Sequence, residues 1–296
     1  MLNVQSKFQS KLNLVQILRY IDFQKKLFNT LSANYSLSEC TRIFFSLLEE
    51  IESTPKYKVV LNWEGEVAFE QKLLSHLASL KQGFPLQYVL GSTWFYGIKI
   101  LLNKNVLIPR PETEELVQKV LQKIKNIEQN QVLDIGTGSG CIAVAIKKSM
   151  PLLKVFALDV SEKAIKLARQ NARSNGVNIN CIKLDILDVD AWKRIPEKIN
   201  IIVSNPPYIA NPKEIDNKVF LNEPHLALLT PPNDPFIFYR KIVELAKNKK
   251  TVRKIFFEIH ENYSEELVRK DFMLRLKKEV VKDLQGKDRF LFISLD

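Results

Sequence analysis

Cysteine and histidine are scarce in this chain of 296 residues, and neither is spaced for chemistry. The three cysteines have no Cys-x-x-Cys spacing, and the three histidines lie far apart: Cys40, Cys141, Cys181, His76, His225 and His260. This pattern excludes a disulfide framework and predicts no metal site. No paired histidine motif accompanies any cysteine, so each thiol is expected to be a small core side chain rather than a nucleophile.

Long hydrophobic runs are missing as well. No apolar run approaches the length of a membrane span, and residues 1–10 are polar without the apolar stretch of a signal peptide. We therefore expect a soluble cytoplasmic protein. Hydrophobic residues make up 46% of the chain, which is enough for a sizeable core, and the length favours two domains over one.

The charge is basic but unevenly distributed. The net charge of +11 favours an anionic partner such as nucleic acid. Residues 1–90 contribute only +2 of it, so the basic character belongs to the rest of the chain. A basic run near residue 250 is interpreted as a solvated helix end and loop: Lys247, Lys249, Lys250, Arg253 and Lys254.

The first part of the chain has helical periodicity. From about Leu12 to Leu80, apolar residues recur at helical spacing, with breaks near Ser36 and Thr54. This pattern predicts a small helical domain over residues 1–83, and Gly83-Phe84-Pro85 ends it. Aromatic and β-branched residues then predict a β-hairpin linker over 84–108, with the hairpin itself at about 94–102.

The remainder, residues 109–296, alternates between strands and helices. A helix is predicted from Pro109-Arg110-Pro111 to about Lys125, and Arg110 and Glu112 either serve that helix start or reach a site. Five strands are predicted at 131–135, 154–158, 179–184, 199–203 and 254–259. Helices are predicted between them and at 264–276, and a hairpin at 279–295 ends the chain. The fold class is thus α/β, a doubly wound and mostly parallel seven-stranded sheet.

The stretch Asn205-Pro206-Pro207-Tyr208 follows the fourth of these strands. Two prolines stop the strand, because proline has no ladder N–H, and Asn205 is presented at the carboxyl end where open α/β sheets bind ligands. An amide side chain, fixed carbonyls and an aromatic face suit a flat substrate that bears nitrogen. Taken alone, the tetrapeptide is nearly as well explained as a turn that closes a strand.

A glycine loop at 136–140 supports the ligand-binding interpretation. Gly136-Thr137-Gly138-Ser139-Gly140 follows the first strand, and it has neither the dinucleotide Gly-x-Gly-x-x-Gly spacing nor the lysine of a phosphate loop. Asp159 ends the next strand, 19 residues after Gly140, near the spacing at which an acid accepts ribose hydroxyls. Asp185 ends the third strand, where its carboxylate could accept an adenine amino proton. The set resembles class I S-adenosylmethionine-dependent methyltransferases that act on exocyclic or amide nitrogen.

Four further motifs resemble one family of such enzymes. They are Pro85–Gly91, Phe95-Tyr96-Gly97, Val106–Glu114 and Asn205–Ile209. In this order they are similar to the HemK/PrmC family of peptide-chain release factor glutamine methyltransferases. The chain differs from that family at Ile186, where an aromatic residue is usual, and at 231–235 and 260–261, where glycines are usual.

The resemblance implies residues for each role. The cofactor site would be lined by Gly136, Thr137, Gly138, Ser139, Gly140, Asp159, Asp185, Ile186 and Asn205. The substrate glutamine would be held by Asn205, Pro206, Pro207 and Tyr208, and of these Asn205, Pro206 and Tyr208 would serve catalysis. The resemblance further implies that the helical domain recognises a release factor and that the acceptor is the Gly-Gly-Gln tripeptide.

Two other functions remain open. A nucleic-acid methyltransferase acting on adenine N6 or guanine N2 could use the same Asn-Pro-Pro-Tyr geometry, and the basic catalytic domain favours it, whereas the nearly neutral helical domain does not. A scaffold protein that binds cofactor without catalysis is disfavoured, because the glycine loop and Asn205–Tyr208 are both intact. The segment 211–234 is interpreted as a lid or docking loop, or else as a flexible insertion.

Overall fold

The computed structural model describes residues 17–124 and 131–295. The chain divides into two compact units, Met1–Leu90 and Gly91–Asp296. The predicted helical start at Leu12 and the predicted helix end at Lys125 lie outside the described residues. The functional division into 1–83, 84–108 and 109–296 stays a prediction.

The first unit is helical, as predicted. Its helices are α1 (Tyr20–Leu31), α2 (Leu37–Glu52), α3 (Lys56–Leu61), α4 (Glu70–Lys81) and α5 (Leu86–Leu90). The predicted break at Ser36 is the N-cap of α2, where the Ser36 hydroxyl accepts the Glu39 N–H and the Glu39 carboxylate accepts the Ser36 N–H. Apolar residues of α1 to α4 share one core that includes Phe23, Phe44, Leu47, Val59 and Leu73.

A two-stranded hairpin opens the second unit, in agreement with the predicted linker. Strand β1 (Ser92–Phe95) pairs antiparallel with β2 (Ile98–Leu101). The two loop residues, Tyr96 and Gly97, have φ of 48° and 74°. Positive φ at both positions is the geometry that matches the twist of a tight hairpin.

The second unit then builds a seven-stranded sheet with helices. The helices are α6 (Pro111–Ile124), α7 (Cys141–Ser149), α8 (Glu162–Ser174), α9 (Asn217–Asn222), α10 (Ile237–Asn248) and α11 (Ser264–Arg269). The strands are β3 (Gln131–Ile135), β4 (Lys154–Asp159), β5 (Asn180–Lys183), β6 (Ile201–Ser204), β7 (Lys254–Glu258), β8 (Lys277–Lys282) and β9 (Asp288–Ser294). The strand order is β5-β4-β3-β6-β7-β9-β8, in which β9 pairs antiparallel with both β7 and β8 and the other neighbouring strands pair parallel. This arrangement confirms the predicted fold class.

The order of the strands decides where a ligand can bind. From β3 the chain moves outward to β4 and β5, and then it returns to place β6 on the other side of β3. This reversal is a topological switch point, and the crevice outside the carboxyl ends of such strands is the usual ligand site. Ile135 at the end of β3 pairs with Ser204 at the end of β6, so the glycine loop and Asn205 leave the sheet side by side.

One predicted helix is shorter than expected. The helix predicted over 264–276 ends at Arg269, Lys270 is extended, and a single 3₁₀ turn covers Asp271–Met273. The break lets Met273 enter the core fully buried. Tertiary packing of that side chain thus overrides the local helical periodicity.

Two composition-based expectations, on the cysteines and on the basic run, have mixed outcomes. Cys40 and Cys141 are buried, as expected of core residues, whereas Cys181 is partly exposed. The expectation of a solvated basic run is wrong for Lys249. Its ammonium is buried and donates to the Ile195 carbonyl and the Glu197 carboxylate. Within 17–124 and 131–295, no helix is long and apolar enough to cross a membrane.

Candidate active site

The glycine loop makes a tight turn at the carboxyl end of β3. The N–H groups of Gly136 and Thr137 both donate to the Leu158 carbonyl of β4, at 2.8 and 2.9 Å. Gly136 and Gly138 have φ of 73° and 54°, and at both positions a Cβ atom would meet nothing within 4 Å. The loop therefore exposes backbone to open space, as close approach of a ligand requires.

Asp159, at the end of β4, holds this loop. Its carboxylate accepts the Gly138 N–H at 2.9 Å through Oδ2 and the Ser161 N–H at 2.9 Å through Oδ1. Burial raises the pKa of Asp159, and the backbone N–H groups that it accepts act in the opposite direction. Each carboxylate oxygen retains a lone pair, so Asp159 shapes the loop and still can accept hydrogen bonds from a ligand.

Asp185 and Ile186 follow β5. Asp185 is exposed, and its Oδ1 accepts the Leu187 N–H at 2.9 Å. Ile186 is buried, and its carbonyl accepts the indole N–H of Trp192 at 2.9 Å. These contacts present one acidic group and one apolar group at the third strand end.

A cavity of about 370 Å³ lies at these strand ends. Eight residues predicted for the site line it: Gly136, Gly138, Asp159, Asp185, Ile186, Asn205, Pro206 and Pro207. Lys104–Leu107, Leu158, Leu184, Leu187 and Phe238 add mostly apolar surface. A cleft with apolar walls and two carboxylates suits a nucleoside-like ligand.

Three predicted cofactor residues support the loop instead of lining the cavity. The buried Thr137 donates its hydroxyl to Asp134 Oδ2 at 2.6 Å. The carbonyl of Ser139 accepts the side-chain amide of Asn171 at 2.8 Å. Gly140 backs onto α8, where an added Cβ atom would lie 2.9 Å from the Ala168 Cβ.

Asn205 is tied to two distant elements. Its Nδ2 donates to the Thr113 hydroxyl oxygen of α6 at 3.2 Å, and that hydroxyl donates to Glu258 Oε2 of β7 at 2.7 Å. Thr113 and Glu258 are 3% and 2% exposed. Burial raises the pKa of Glu258 to about 7, against the hydrogen bond from Thr113 and the positive charge of Arg289.

Tyr208 lies beside the cavity rather than in its lining. Its ring meets His260 edge to face with 5.6 Å between centroids, and it packs on the core of the second unit. Burial raises the pKa of the Tyr208 phenol above its ordinary value. The hydroxyl therefore stays protonated at neutral pH and supplies no base.

Arg110 and Glu112, for which the sequence leaves two interpretations, are absent from the lining of this cavity. The guanidinium of Arg110 pairs with Glu223 Oε1 at 2.5 Å, and the other carboxylate oxygen of Glu223 accepts the Ile108 N–H at 3.0 Å. Glu223 is 5% exposed. The pair thus ties the start of α6 to the segment 211–234.

Comparison with known proteins gives the family. The "Methyltransferase small domain" model matches residues 113–222. A release factor glutamine methyltransferase of Flavobacterium psychrophilum is 38% identical over 92% of this chain and 98% of its own length. One from Streptococcus pneumoniae is 38% identical over 86% of both chains. This chain belongs to the release factor glutamine methyltransferase family.

The fold of this release factor glutamine methyltransferase family member is also similar to that of a solved structure. The hMettl16 catalytic domain in complex with MAT2A 3′UTR hairpin 1 has a TM-score of 0.53, with 15% identity, and the match covers 84% of this chain and 91% of that chain. At such low identity the likeness concerns the fold alone.

Sequence reasoning missed several residues that this family member uses to build the site. Thr113 lies inside the motif Val106–Glu114, but its contact with Asn205 spans 92 positions, so the motif does not predict it. The sequence does contain a signal for Glu258, because a carboxylate in the apolar run of β7 must find partners when it is buried. Asn171 of α8 had none, and it bridges Leu101 of β2 to Ser139 of the glycine loop. Across 17–124 and 131–295, no three His, Cys, Asp or Glu side chains are grouped to hold a metal ion.

Proposed function

We propose that this protein transfers a methyl group from S-adenosylmethionine to the side-chain amide nitrogen of a glutamine in peptide-chain release factors. The observation that carries the proposal is the shared cavity, because one cleft is lined by Gly136, Asp159, Asp185, Asn205 and Pro206. Family membership supports the same reaction, since relatives that align over nearly the whole chain are named release factor glutamine methyltransferases.

The cavity fits the cofactor. We assign Asp159 to the ribose hydroxyls, the backbone of Gly136 and Gly138 to the amino-acid end, and Asp185 with Ile186 to the adenine. Thr137, Ser139 and Gly140 hold that backbone in place. When bound, S-adenosylmethionine supplies a methyl group on a sulfonium, which makes that carbon electrophilic.

The acceptor amide needs orientation more than it needs a base. An amide nitrogen is a poor nucleophile because its lone pair is delocalised into the carbonyl. We assign the Asn205 oxygen and the Pro206 carbonyl to the two N–H groups of the substrate glutamine, so that its nitrogen faces the cofactor. Tyr208 would cover the amide plane from its position beside the cavity, and Pro207 would fix the turn. The proton becomes acidic once the methyl has transferred, so no strong general base is required.

The remaining assignments stay predictions. The helical domain, residues 1–83, would dock the release factor, and the Gly-Gly-Gln tripeptide would be the acceptor sequence. The cytoplasmic location and the role of 211–234 as a lid also rest on the sequence.

Mass spectrometry tests the reaction. The protein is incubated with labelled S-adenosylmethionine and with separate pools of release factor, ribosomal RNA and DNA. We expect one methyl group on the glutamine of Gly-Gly-Gln, and none when that glutamine is replaced by asparagine. Methyl groups found on adenine or guanine, with release factor untouched, would overturn the proposal in favour of a nucleic-acid methyltransferase.

A shorter chain tests the docking role. A chain that begins at Gly91, where the second compact unit starts, should bind cofactor as the full chain does and methylate release factor poorly. A short Gly-Gly-Gln peptide should then be methylated equally by both chains. Full activity of the shortened chain on whole release factor would remove the docking role from the helical domain.

A further inference from the structure

Two buried polar side chains beside the cavity have no part in the reaction as described so far. Thr113 is in the first turn of α6, and Glu258 ends β7, next to β6 in the sheet. They are 3% and 2% exposed, and they bond to each other at 2.7 Å. A buried carboxylate is costly, so it is retained only where it is well partnered or useful.

The chemistry of the three groups fixes the direction of their hydrogen bonds. An ionised carboxylate only accepts, so the single hydroxyl proton of Thr113 goes to Glu258. The Thr113 oxygen then can only accept, and the Asn205 atom that faces it at 3.2 Å must be the donor, Nδ2. The amide oxygen of Asn205 is consequently the group left for a ligand in the cavity.

The direction matters because the substrate group has only protons to offer on its nitrogen. A glutamine NH₂ donates two hydrogen bonds, so it needs an oxygen opposite it. With the Asn205 amide inverted, NH₂ would face NH₂, and the hydrogen bond that orients the acceptor would be lost. An asparagine amide has no intrinsic preference between its two orientations, so its neighbours must choose.

We propose that Thr113 and Glu258 are positioning residues, which hold the Asn205 side chain with its oxygen toward the acceptor nitrogen. The inference rests on the proposed function for its chemical meaning. Neither residue lines the cavity, so both act through Asn205. The pair belongs to the acceptor side of the site, and we expect it to leave cofactor affinity unchanged.

The charge of Glu258 is part of this arrangement. The groups that face it electrostatically come from several elements: Arg289 of β9, Glu112 of α6, Tyr208 after β6, Tyr239 of α10 and Cys141 of α7. Burial raises the pKa of Glu258 to about 7, while the Thr113 hydroxyl, Arg289 and Asn205 favour the ionised form. Once protonated, Glu258 can donate to Thr113, whose hydroxyl is then free to donate to an inverted Asn205. Activity should therefore fall as pH drops below about 7.

Substitutions at Thr113 test the hydrogen bond. Thr113→Val keeps the shape and removes the hydroxyl, and we expect kcat to fall about 10-fold, with the cofactor Kd unchanged. Thr113→Ser restores the hydroxyl and should restore most of kcat. Thr113→Ser is therefore the matched control, because it changes the same buried position and keeps the hydroxyl. Loss in Thr113→Val beyond that in the control reports the hydrogen bond.

The pH profile distinguishes positioning from a merely structural role. In the wild type the acid limb of kcat should lie near pH 7, and in Glu258→Gln it should disappear, because glutamine cannot ionise. If Thr113→Val and Glu258→Gln both fold and keep wild-type kcat and pH profile, the positioning role is wrong. If Glu258→Gln fails to fold, the Val and Ser variants of Thr113 still decide.

A measurement without turnover separates this inference from the proposed function. The side-chain ¹⁵N amide resonance of Asn205 is assigned by its loss in Asn205→Asp. Its hydrogen exchange should be slow in the wild type and about 10-fold faster in Thr113→Val, since Nδ2 loses the Thr113 hydroxyl as a partner. Faster exchange in a protein that methylates no release factor would refute the proposed function and keep the positioning. Unchanged exchange in an active protein would refute the positioning role and keep the proposed function.

Discussion

The two sides of the cavity are held together over very different distances along the chain. On the glycine-loop side, Asp159 bonds to Gly138 at a separation of 21 positions, and Asp185 bonds to Leu187 at a separation of 2. On the acceptor side, Asn205 bonds to Thr113 across 92 positions, and Thr113 bonds to Glu258 across 145. The glycine-loop side therefore depends mostly on contacts within one strand–helix–strand unit, whereas the acceptor side depends on elements that lie far apart in the chain and meet only in the folded sheet.

This difference predicts a division of effects. Substitutions on the glycine-loop side should change cofactor affinity or local stability, because the contacts there shape the loop. Substitutions on the acceptor side should change turnover, because the contacts there orient a reacting group. Any variant that changes both quantities equally would show that the two sides act as one.

Of the variants considered, Asn205→Ala should have the largest effect, and that effect should be mainly on turnover. It removes a contact needed mainly in the transition state, so we expect kcat to fall about 100-fold or more, as for the loss of one preorganised polar group. Cofactor affinity, measured by calorimetry, should change much less. Asn205→Asp should also be slow, because its charge stabilises the sulfonium of the ground state. Wild-type kcat in either folded variant would remove Asn205 from the reaction.

Asp159→Ala should have the opposite signature. It removes a carboxylate that accepts from the loop and faces the cavity, so cofactor binding should weaken by about 1.5–3 kcal/mol. Turnover at saturating cofactor should fall far less than in Asn205→Ala. Cofactor affinity is measured by calorimetric titration of each variant after a thermal melt has shown that the variant folds. Unchanged affinity would take Asp159 out of the cofactor site.

Gly140→Ala and Gly136→Ala form a pair that separates packing from ligand access. At Gly140 the new Cβ would lie 2.9 Å from the Ala168 Cβ and 3.1 Å from its Cα, at a φ of +82°, so we expect about 2–3 kcal/mol of lost stability. At Gly136 the φ of +73° adds strain without a clash, about 1 kcal/mol.

The control is built into this pair, because Gly136 lines the cavity and Gly140 is absent from its lining. Chemical denaturation should rank Gly140→Ala as the less stable variant. Calorimetry at low temperature should rank Gly136→Ala as the weaker cofactor binder. The same ranking in both measurements would show that the loop responds as one rigid body.

Asp134→Asn should have the smallest effect and restrict it to stability. Burial raises the pKa of Asp134 to about 7, so the folded state holds a proton that the unfolded state releases at lower pH. The free energy of unfolding therefore falls as pH rises from about 4 to about 7 and stays lower above it. Asparagine cannot ionise, so the variant should lose this pH dependence and be more stable than the wild type at pH 8.

The comparison with Glu258, whose pKa is also raised to about 7, gives this prediction its control. Urea denaturation from pH 5 to pH 8 should show a flatter profile for Asp134→Asn. The acid limb of its kcat should persist near pH 7, because Glu258 is intact. An acid limb that vanishes in Asp134→Asn would assign that limb to the glycine-loop side.

The fold was largely predictable because its signals are local. Apolar spacing, Ser36 as a cap, and Tyr96-Gly97 as a turn each act within a few residues, and the strands lie within about two residues of their predicted ends. The exceptions, the helix end at Arg269 and the burial of Lys249, arise where a distant core or carboxylate outweighs the local pattern.

The site also has a part that local sequence signals predict and a part that depends on long-range contacts. The order of strands and the residues that follow them are written in the sequence, and parallel strands bring their carboxyl ends to one edge, so Gly136, Asp159, Asp185 and Asn205 were foreseeable. Which way the Asn205 amide faces depends on Thr113 and Glu258, two groups that meet it only across the folded sheet. Pairwise contacts of that range leave no periodic trace in one sequence, and packing in three dimensions sets them.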